Sequence, residues 1–265
     1  MLGWPVAHSR SPAIHNAALR AAGLGHWRYQ LLPVPPDVFE ETVRALPAAG
    51  LRGANVTIPH KRAALRLADE ATARARSIGA ANTLVFDDAG AIHADNTDAP
   101  ALVRALPFAP AGRTALVLGA GGSARAAVWA LLAAGASEVL VWNRTRGRAQ
   151  RLCAELGATP ASAAAADLLV HCTPLGLDRS DDAFAQLPVG AEDLAGFGCV
   201  VDYVYSGDRE TPLVRAARAR SIPVVDGLEL LIGQGALSFE RFTGQQPSPQ
   251  AMRAAVGRAW TPQST

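Results

Sequence analysis

Apolar and polar positions along the chain switch between the helical and the strand period. From Ser11 to Ala22 apolar residues follow helical spacing behind Pro12, which predicts a helix after a loop running from Gly3 to Arg10. Only two residues precede Gly3, so a first strand is expected to be very short or missing. Tyr29-Gln30-Leu31-Leu32-Pro33-Val34 reads as a strand, Asp37 as the N-cap of a helix to about Leu46, and Gly53 to Thr57 as a second strand ending at Pro59. That succession is the βαβ rhythm of a parallel sheet. A helix from about Lys61 to Arg76, a short strand from Asn82 to Phe86 and a turn at Asp87-Asp88-Ala89-Gly90 lead to Ile92-His93-Ala94-Asp95.

After Pro107-Phe108-Ala109-Pro110 the rhythm restarts, and Pro100 with this stretch is the expected linker between two α/β domains. Thr114 to Leu118 reads as a buried strand, Ser123 to Ala134 as a helix and Glu138 to Trp142 as the next strand. Weaker strand signals follow at Leu168 to His171 and Cys199 to Val204, and helix returns after Gly227. The only low-complexity tract is Ala-rich, plainest from Ala161 to Ala166.

Composition narrows the class. A net charge of +2, with arginines and carboxylates interspersed, gives no basic face, so nucleic acid is a poor partner. Three cysteines, Cys153, Cys172 and Cys199, without metal-ligand spacing predict neither a disulfide framework nor a metal site. With no stretch of about 20 apolar residues and no leader-like start, a cytoplasmic protein without a membrane partner is expected. One oddity outweighs the averages: among 25 basic residues Lys61 is the only lysine. Arginine stays protonated in proteins whereas an amine can titrate, so a lone lysine marks a position where proton transfer is expected, with chance as the other explanation.

Gly119-Ala120-Gly121-Gly122-Ser123-Ala124 lies between an apolar strand and an Ala-rich helix, the setting of a dinucleotide fingerprint. Gly119 allows the tight turn, Gly121 a close approach to a pyrophosphate, and Ala124 the close packing of helix on strand. The helix N-terminus offers unpaired N–H groups to phosphate. About 20 residues on, where a carboxylate would take the ribose hydroxyls, stand Asn143-Arg144-Thr145, with Arg146 and Arg148 following. Guanidinium there suits a 2′-phosphate, so NADP is the expected cofactor. A solvated Arg-rich helix start is the alternative, although cations at that end oppose the helix dipole.

Polar residues of the first half gather in four loops: His8-Ser9-Arg10-Ser11-Pro12, Asn55 to Lys61, Ala80 to Thr83, and Asp95-Asn96-Thr97-Asp98. Most fall at predicted strand ends, where ligands bind in open α/β sheets. Each also has a structural explanation, with Ser11-Pro12 starting a helix, Asn82 in a turn and Asp98 capping the next helix.

Together these loops resemble the shikimate dehydrogenase family along nearly the whole chain. The opening Gly3-x-Pro5-x-x-His8-Ser9-x-Ser11-Pro12-x-x-His15-Asn16, the lysine motif Asn55-Val56-Thr57-x-Pro59-x-Lys61, Asn82-Thr83 and Asp95-Asn96-Thr97-Asp98 come in the family's order. So do the glycine loop, Asn143-Arg144-Thr145, Thr173-Pro174-x-Gly176, Asp202-x-Val204-Tyr205 with Thr211-Pro212-Leu213, and Gln234-Gly235 followed by Phe239 and Thr243-Gly244. The resemblance implies reversible reduction of 3-dehydroshikimate by NADPH, in aromatic amino-acid biosynthesis. It implies Lys61 and Asp98 as the catalytic pair, and Ser9, Ser11, Thr57, Asn82, Tyr205 and Gln234 as substrate contacts. Gly119 to Ala124, Asn143, Arg144, Thr145 and Arg148 are the expected cofactor residues. The implied fold is an N-terminal αβα substrate domain with a mostly parallel sheet, residues 1–98 plus 227–265, and a Rossmann-type NADP domain, residues 99–226. A homodimer is the expected assembly.

Five places depart from the family's usual pattern. Ala94 stands for a common Gly, Ala99-Pro100 for a more flexible pair, His171-Cys172 for Asn-Ala, and Leu177 and Leu230 for Met. Two other readings use the same scaffold: a quinate or aminoshikimate dehydrogenase, and a sensor that binds NADP and a cyclic acid without turnover. Serine at both Ser9 and Ser11 favours shikimate, and intact Lys61 and Asp98 favour an enzyme.

Overall fold

The computed structural model describes residues 1–162, 165–177, 183–205 and 210–257. Part of the Ala-rich tract, residues 163 and 164, lies outside the described residues, as do 258–265 of the expected C-terminal segment. The chain divides into two compact units, one of Met1–Thr97 with the described part of Leu231–Thr265, the other of Asp98–Leu230.

In the first unit the elements run β1 (Leu2–Gly3), α1 (Ser11–Ala21), β2 (Leu32–Pro33), α2 (Phe39–Ala45), β3 (Gly53–Asn55), α3 (Lys61–Leu67), β4 (Glu70–Ala71), α4 (Ala73–Ile78), β5 (Thr83–Phe86) and β6 (Ile92–Asp95). β1 pairs in parallel with β2, and a bridge from Leu2 to Val56 links that pair to a four-stranded sheet of order β3-β5-β6-β4. Only β5 runs against its neighbours. The expected turn makes it do so: the Asp87 carboxylate accepts the N–H groups of Ala89 and Ala91, and Gly90 takes the left-handed φ of +83°. Leu2, Val34, Phe39, Val43, Val56, Leu84, Phe86 and Ile92 form the core on this sheet. Each such side chain, taken fully out of water, contributes roughly 1.5–3 kcal/mol.

Three expected elements differ here. The helix from Lys61 to Arg76 breaks into α3 and α4 with β4 between them. Asp69 and Ile92 exchange bonds, Asp69 N–H to the Ile92 carbonyl and Ile92 N–H to the Asp69 carboxylate, and the Thr72 hydroxyl caps α4 by accepting Ala75 N–H. Short polar side chains that bond the backbone favour such breaks. The strand expected over Tyr29 to Val34 shrinks to Leu32–Pro33, because the Asn16 amide takes both main-chain groups of Tyr29 at 2.9 Å. Asp37 lies inside a 3₁₀ turn, Pro36–Val38, and α2 starts at Phe39 without a side-chain cap. Two consecutive prolines preset that turn, and burial of Phe39 holds it.

The second unit runs α5 (Asp98–Ala105), β7 (Thr114–Leu118), α6 (Gly122–Ala133), β8 (Glu138–Trp142), α7 (Arg146–Leu156), β9 (Thr159–Pro160), β10 (Leu168–His171), α8 (Ala183–Gln186), β11 (Cys199–Asp202), α9 (Pro212–Arg218) and β12 (Val224–Val225). Its six strands are all parallel in the order β12-β11-β10-β7-β8-β9. Leu116 to Leu118, Leu168 to Val170 and Cys199 to Val201 are buried almost completely, as strands covered on both faces must be. Pro100, part of the expected linker, is instead the third residue of α5, where its missing N–H leaves no helical bond unmade. Cys153 and Cys199 are buried free thiols, and burial pushes that of Cys199 up to about 11.

α10 (Gly227–Thr243) starts in the second unit, where the Asp226 carboxylate accepts Leu228 and Glu229 N–H, and ends in the first. α11 (Pro249–Ala254) follows, capped by Ser248. No helix among the described residues is long and apolar enough to cross a membrane.

His15 on α1 is buried, stacked on Tyr29 at 4.1 Å, and its Nε2 has no hydrogen-bond partner among the described residues. Burial pushes its pKa from 6.5 down to about 3. Between those values the unfolded chain binds the extra proton, so this histidine's contribution is complete above pH 6.5 and is lost as pH falls. The expected slope is about 1.4 kcal/mol per pH unit. His15→Phe keeps a ring on Tyr29 and removes the titration, so urea unfolding between pH 6.5 and 4 is expected to show a flatter pH dependence than the parent. Parallel curves would contradict this.

Candidate active site

In the first unit, Thr57, Lys61 and Asn82 come to the ends of strands by the local logic of the chain. β3 ends at Asn55, and Val56 N–H bonds the Asn82 carbonyl while Thr57 N–H bonds that of Leu2. Thr57 packs where Gly3 has no side chain: a Cβ on Gly3 would sit 2.4 Å from Thr57 Cγ2. Lys61 opens α3 with 8 % of its surface exposed, and its carbonyl accepts Ala81 N–H. Ser9 and Ser11 lie together at the start of α1, their hydroxyls 3.2 Å apart, with Ser11 fully buried.

Asn82 is the centre of a buried polar cluster. Its Oδ1 accepts Thr97 N–H at 2.8 Å and the hydroxyls of Thr83 and Thr97, and its Nδ2 donates to Thr97 Oγ1 and to Gln234 Oε1 on α10. Asn55 joins it by donating to the Asn82 carbonyl and to Thr83, while Tyr29 and Ser238 donate to its Oδ1. Asp95 anchors the same loop, binding Arg74, Arg241, Thr72 and the N–H of Asn96. Burial raises this carboxyl, but the Thr72 hydroxyl, the Arg74 charge and the Asn96 N–H outweigh burial and hold it below its usual range. A cavity of about 480 Å³ in this unit is lined by His15, Trp27, Tyr29, Gly53, Phe239 and Phe242, and none of the expected site residues borders it.

Asp98 is the first residue of α5, in the second unit, and 7 % exposed. Its charge reaches Tyr203, whose phenol is pushed well above its usual value by burial first, then by Cys172 and Asp98. The glycine loop sits between β7 and α6 as expected. Gly119 takes φ +120°, and a Cβ there would lie 3.2 Å from the Cys172 backbone, so β7 and β10 approach where only glycine fits. Gly121 is the extended N-cap of α6, and nothing lies within 4 Å of where its Cβ would be. Ala120, Gly122 and Ser123 are partly exposed and Ala124 is buried under the helix. The strand order reverses between β10 and β7, the crevice where dinucleotides lie in such sheets. At the end of β8, Asn143 Nδ2 donates to the Thr145 carbonyl, Thr145 caps α7 by position, and Arg144, Arg146 and Arg148 are exposed without a carboxylate partner among the described residues. These groups fit a phosphorylated dinucleotide: a helix N-terminus for the pyrophosphate and guanidinium without a carboxylate partner for a further phosphate.

Comparison with known proteins agrees in three places along the chain. Residues 1–84 match the model of the shikimate dehydrogenase substrate binding domain, 105–173 that of shikimate / quinate 5-dehydrogenase, and 227–256 that of the shikimate 5'-dehydrogenase C-terminal domain. The shikimate dehydrogenase (NADP(+)) of Paracoccus denitrificans is 45% identical over 262 residues, covering 93% of this chain and 90% of that one. The chain belongs to the shikimate dehydrogenase family. Among solved structures, shikimate 5-dehydrogenase from Thermus thermophilus in complex with NADP(H) and shikimate is similar at 39% identity, with a TM-score of 0.84 and 97% of each chain covered. The 5-ketofructose reductase of a Gluconobacter strain is similar too, at 28% identity and a TM-score of 0.82, over 97% of this chain and 96% of that one.

Against the motifs of the shikimate dehydrogenase family, the structure brings Asn82 to Gln234 and Ser9 to Ser11 within the first unit, while Asp98 and Tyr205 belong to the second. Asn55, Thr83 and Thr97 stood in the motifs but carried no expected role, and the structure makes them partners of Asn82. Arg74 lies outside the motifs and Arg241 between the motif positions Phe239 and Thr243 without being one of them, so only spatial proximity reveals that they hold Asp95.

Proposed function

We propose that this chain catalyses the reversible reduction of 3-dehydroshikimate to shikimate with NADPH. The observation that carries the reading is Lys61, the only lysine, buried at the start of α3 just beyond Thr57, in a unit whose strand ends carry a dense polar cluster. Bound NADPH supplies the hydride. Reduction of a ketone leaves an alkoxide, and a positioned ammonium polarises the carbonyl and then gives that oxygen its proton. Lys61 has that task, and Asp98 orients the amine and a substrate hydroxyl. The hydroxyls of Ser9 and Ser11 take the substrate carboxylate, and Thr57, Asn82, Tyr205 and Gln234 take the ring hydroxyls. Gly119 to Ala124 hold the pyrophosphate, and Arg144 and Arg148, with Asn143 and Thr145, hold the 2′-phosphate. Because the same fold serves a 5-ketofructose reductase, fold alone does not choose the substrate. The paired serines favour shikimate over quinate.

The test is absorbance of NADPH or NADH formation with shikimate and with quinate, each with NADP and with NAD. Fastest turnover with shikimate and NADP is expected, and no turnover with any pair, in folded protein that binds NADP, overturns the reading in favour of a sensor. Lys61→Ala is expected to lower kcat by roughly 10²–10⁴-fold with little change in shikimate binding. Weaker binding with kcat retained would make Lys61 a binding residue. Arg144→Ala and Arg148→Ala together are expected to raise the KM for NADP by about tenfold or more and leave that for NAD alone, since each lost charge-assisted bond is worth about 1.5–3 kcal/mol when desolvated and less when exposed.

A further inference from the structure

His171 and Asp202 end adjacent parallel strands in direct register, β10 and β11, and both side chains are buried. His171 Nδ1 is 2.9 Å from Asp202 Oδ1, and Nε2 is 2.6 Å from Thr173 Oγ1. Asp202 also accepts Val204 N–H at 2.9 Å and the Thr211 hydroxyl at 2.5 Å. A carboxylate only accepts, so Nδ1 donates to Asp202, while Nε2 shares the other hydrogen bond with the Thr173 hydroxyl. Thr173 Oγ1 in turn accepts Leu175 N–H, and Leu177 N–H bonds the Pro174 carbonyl, closing the turn that ends at Gly176 with φ +87°. This turn follows Cys172, whose backbone is the one packed against Gly119 at the reversal of strand order.

We propose that His171 is a positioning residue for the cofactor: through the Thr173 hydroxyl it sets the turn Thr173–Gly176 that walls the crevice where the nicotinamide half of NADP lies. The proposal rests on the cofactor assignment above and goes beyond it, because neither the glycine loop nor the arginines involve this histidine. The imidazole is held at both of its nitrogens. It touches Asp202 on one side and Thr173 on the other, linking the floor of the sheet to the turn. The substrate loops of the first unit lie outside this link, and Val204 N–H, beside Tyr205, keeps its own bond to Asp202, so the effect of losing the link falls on cofactor and not on shikimate.

The test compares His171→Asn, Thr173→Val, Thr173→Ser and the double variant H171N/T173V. NADPH binding is followed by fluorescence, kcat and both KM values by absorbance, and thermal stability by circular dichroism. His171→Asn and Thr173→Val are each expected to weaken NADPH binding by about fivefold, the equivalent of one net hydrogen bond, with KM for shikimate unchanged. Thr173→Ser, which keeps the hydroxyl, is expected to bind NADPH as the parent does. The double variant is expected to be no worse than Thr173→Val alone, because both changes remove one link. Additive losses, or lowered melting temperatures with NADPH affinity unchanged, would overturn the proposal, and should His171→Asn not fold, the two Thr173 variants still decide it. Parent protein that fails to bind NADPH would instead sink the cofactor assignment, a different result from tight binding that ignores Thr173.

Discussion

Asp95 is a carboxylate that the fold buries and then surrounds with donors. It sits at the end of β6 and receives Arg74 from α4, Arg241 from α10 at 2.6 Å, the Thr72 hydroxyl and the N–H of Asn96. An ionised carboxyl removed from water needs such compensation, and here one of the compensating groups comes from 146 residues away in the chain. The C-terminal part of α10 returns to the first unit, and its Arg241, Gln234 and Ser238 each end on a polar group of β3, β5, β6 or the loops between them. The shape of the Asp95–Asp98 loop, from which Asp98 begins the second unit, therefore depends on a helix made more than 100 residues later.

The two units obey different constraints at their functional ends. In the second, a wholly parallel sheet reverses its strand order between β10 and β7, and the crevice there needs little more than glycine backbone and a helix N-terminus to accept phosphate. In the first, the sheet is interrupted by one antiparallel strand, and the corresponding ends are filled with side chains that satisfy one another. A hydroxylated substrate suits that arrangement, since a site built to hydrogen-bond discriminates strongly against ligands that leave its groups unpaired.

How much of this was legible depended on the range of the interactions. The second unit's strands β7, β8 and β10 fell at their expected residues, because each writes a continuous apolar run into the chain, in β7 and β10 through burial on both faces. The first unit misled at Lys61–Arg76, at Tyr29–Val34 and at Asp37. In each case a side chain or neighbouring strand supplied a bond that competed with local preference: Asp69 with Ile92, Asn16 with Tyr29, and the proline pair ahead of Phe39. The site motifs were readable as residue types, whereas the bonding of Asn82 to Thr97 and Gln234 was not, since the partners are 15 and 152 residues away.

By itself the sequence determined the class of the fold, the glycine loop at a strand-to-helix junction, the arginine cluster at the next strand end and the singular lysine. All of these rest on local spacing and on the chemistry of residue types, which a linear string carries in full. Only the tertiary structure decided that β4 interrupts a helix-like run, that Asp95 gathers two arginines that lie 21 and 146 residues from it in the chain, and that His171 stands between Asp202 and Thr173. Each of those depends on which strands become neighbours and in what register, and register is set by burial of the whole sheet rather than by any one segment.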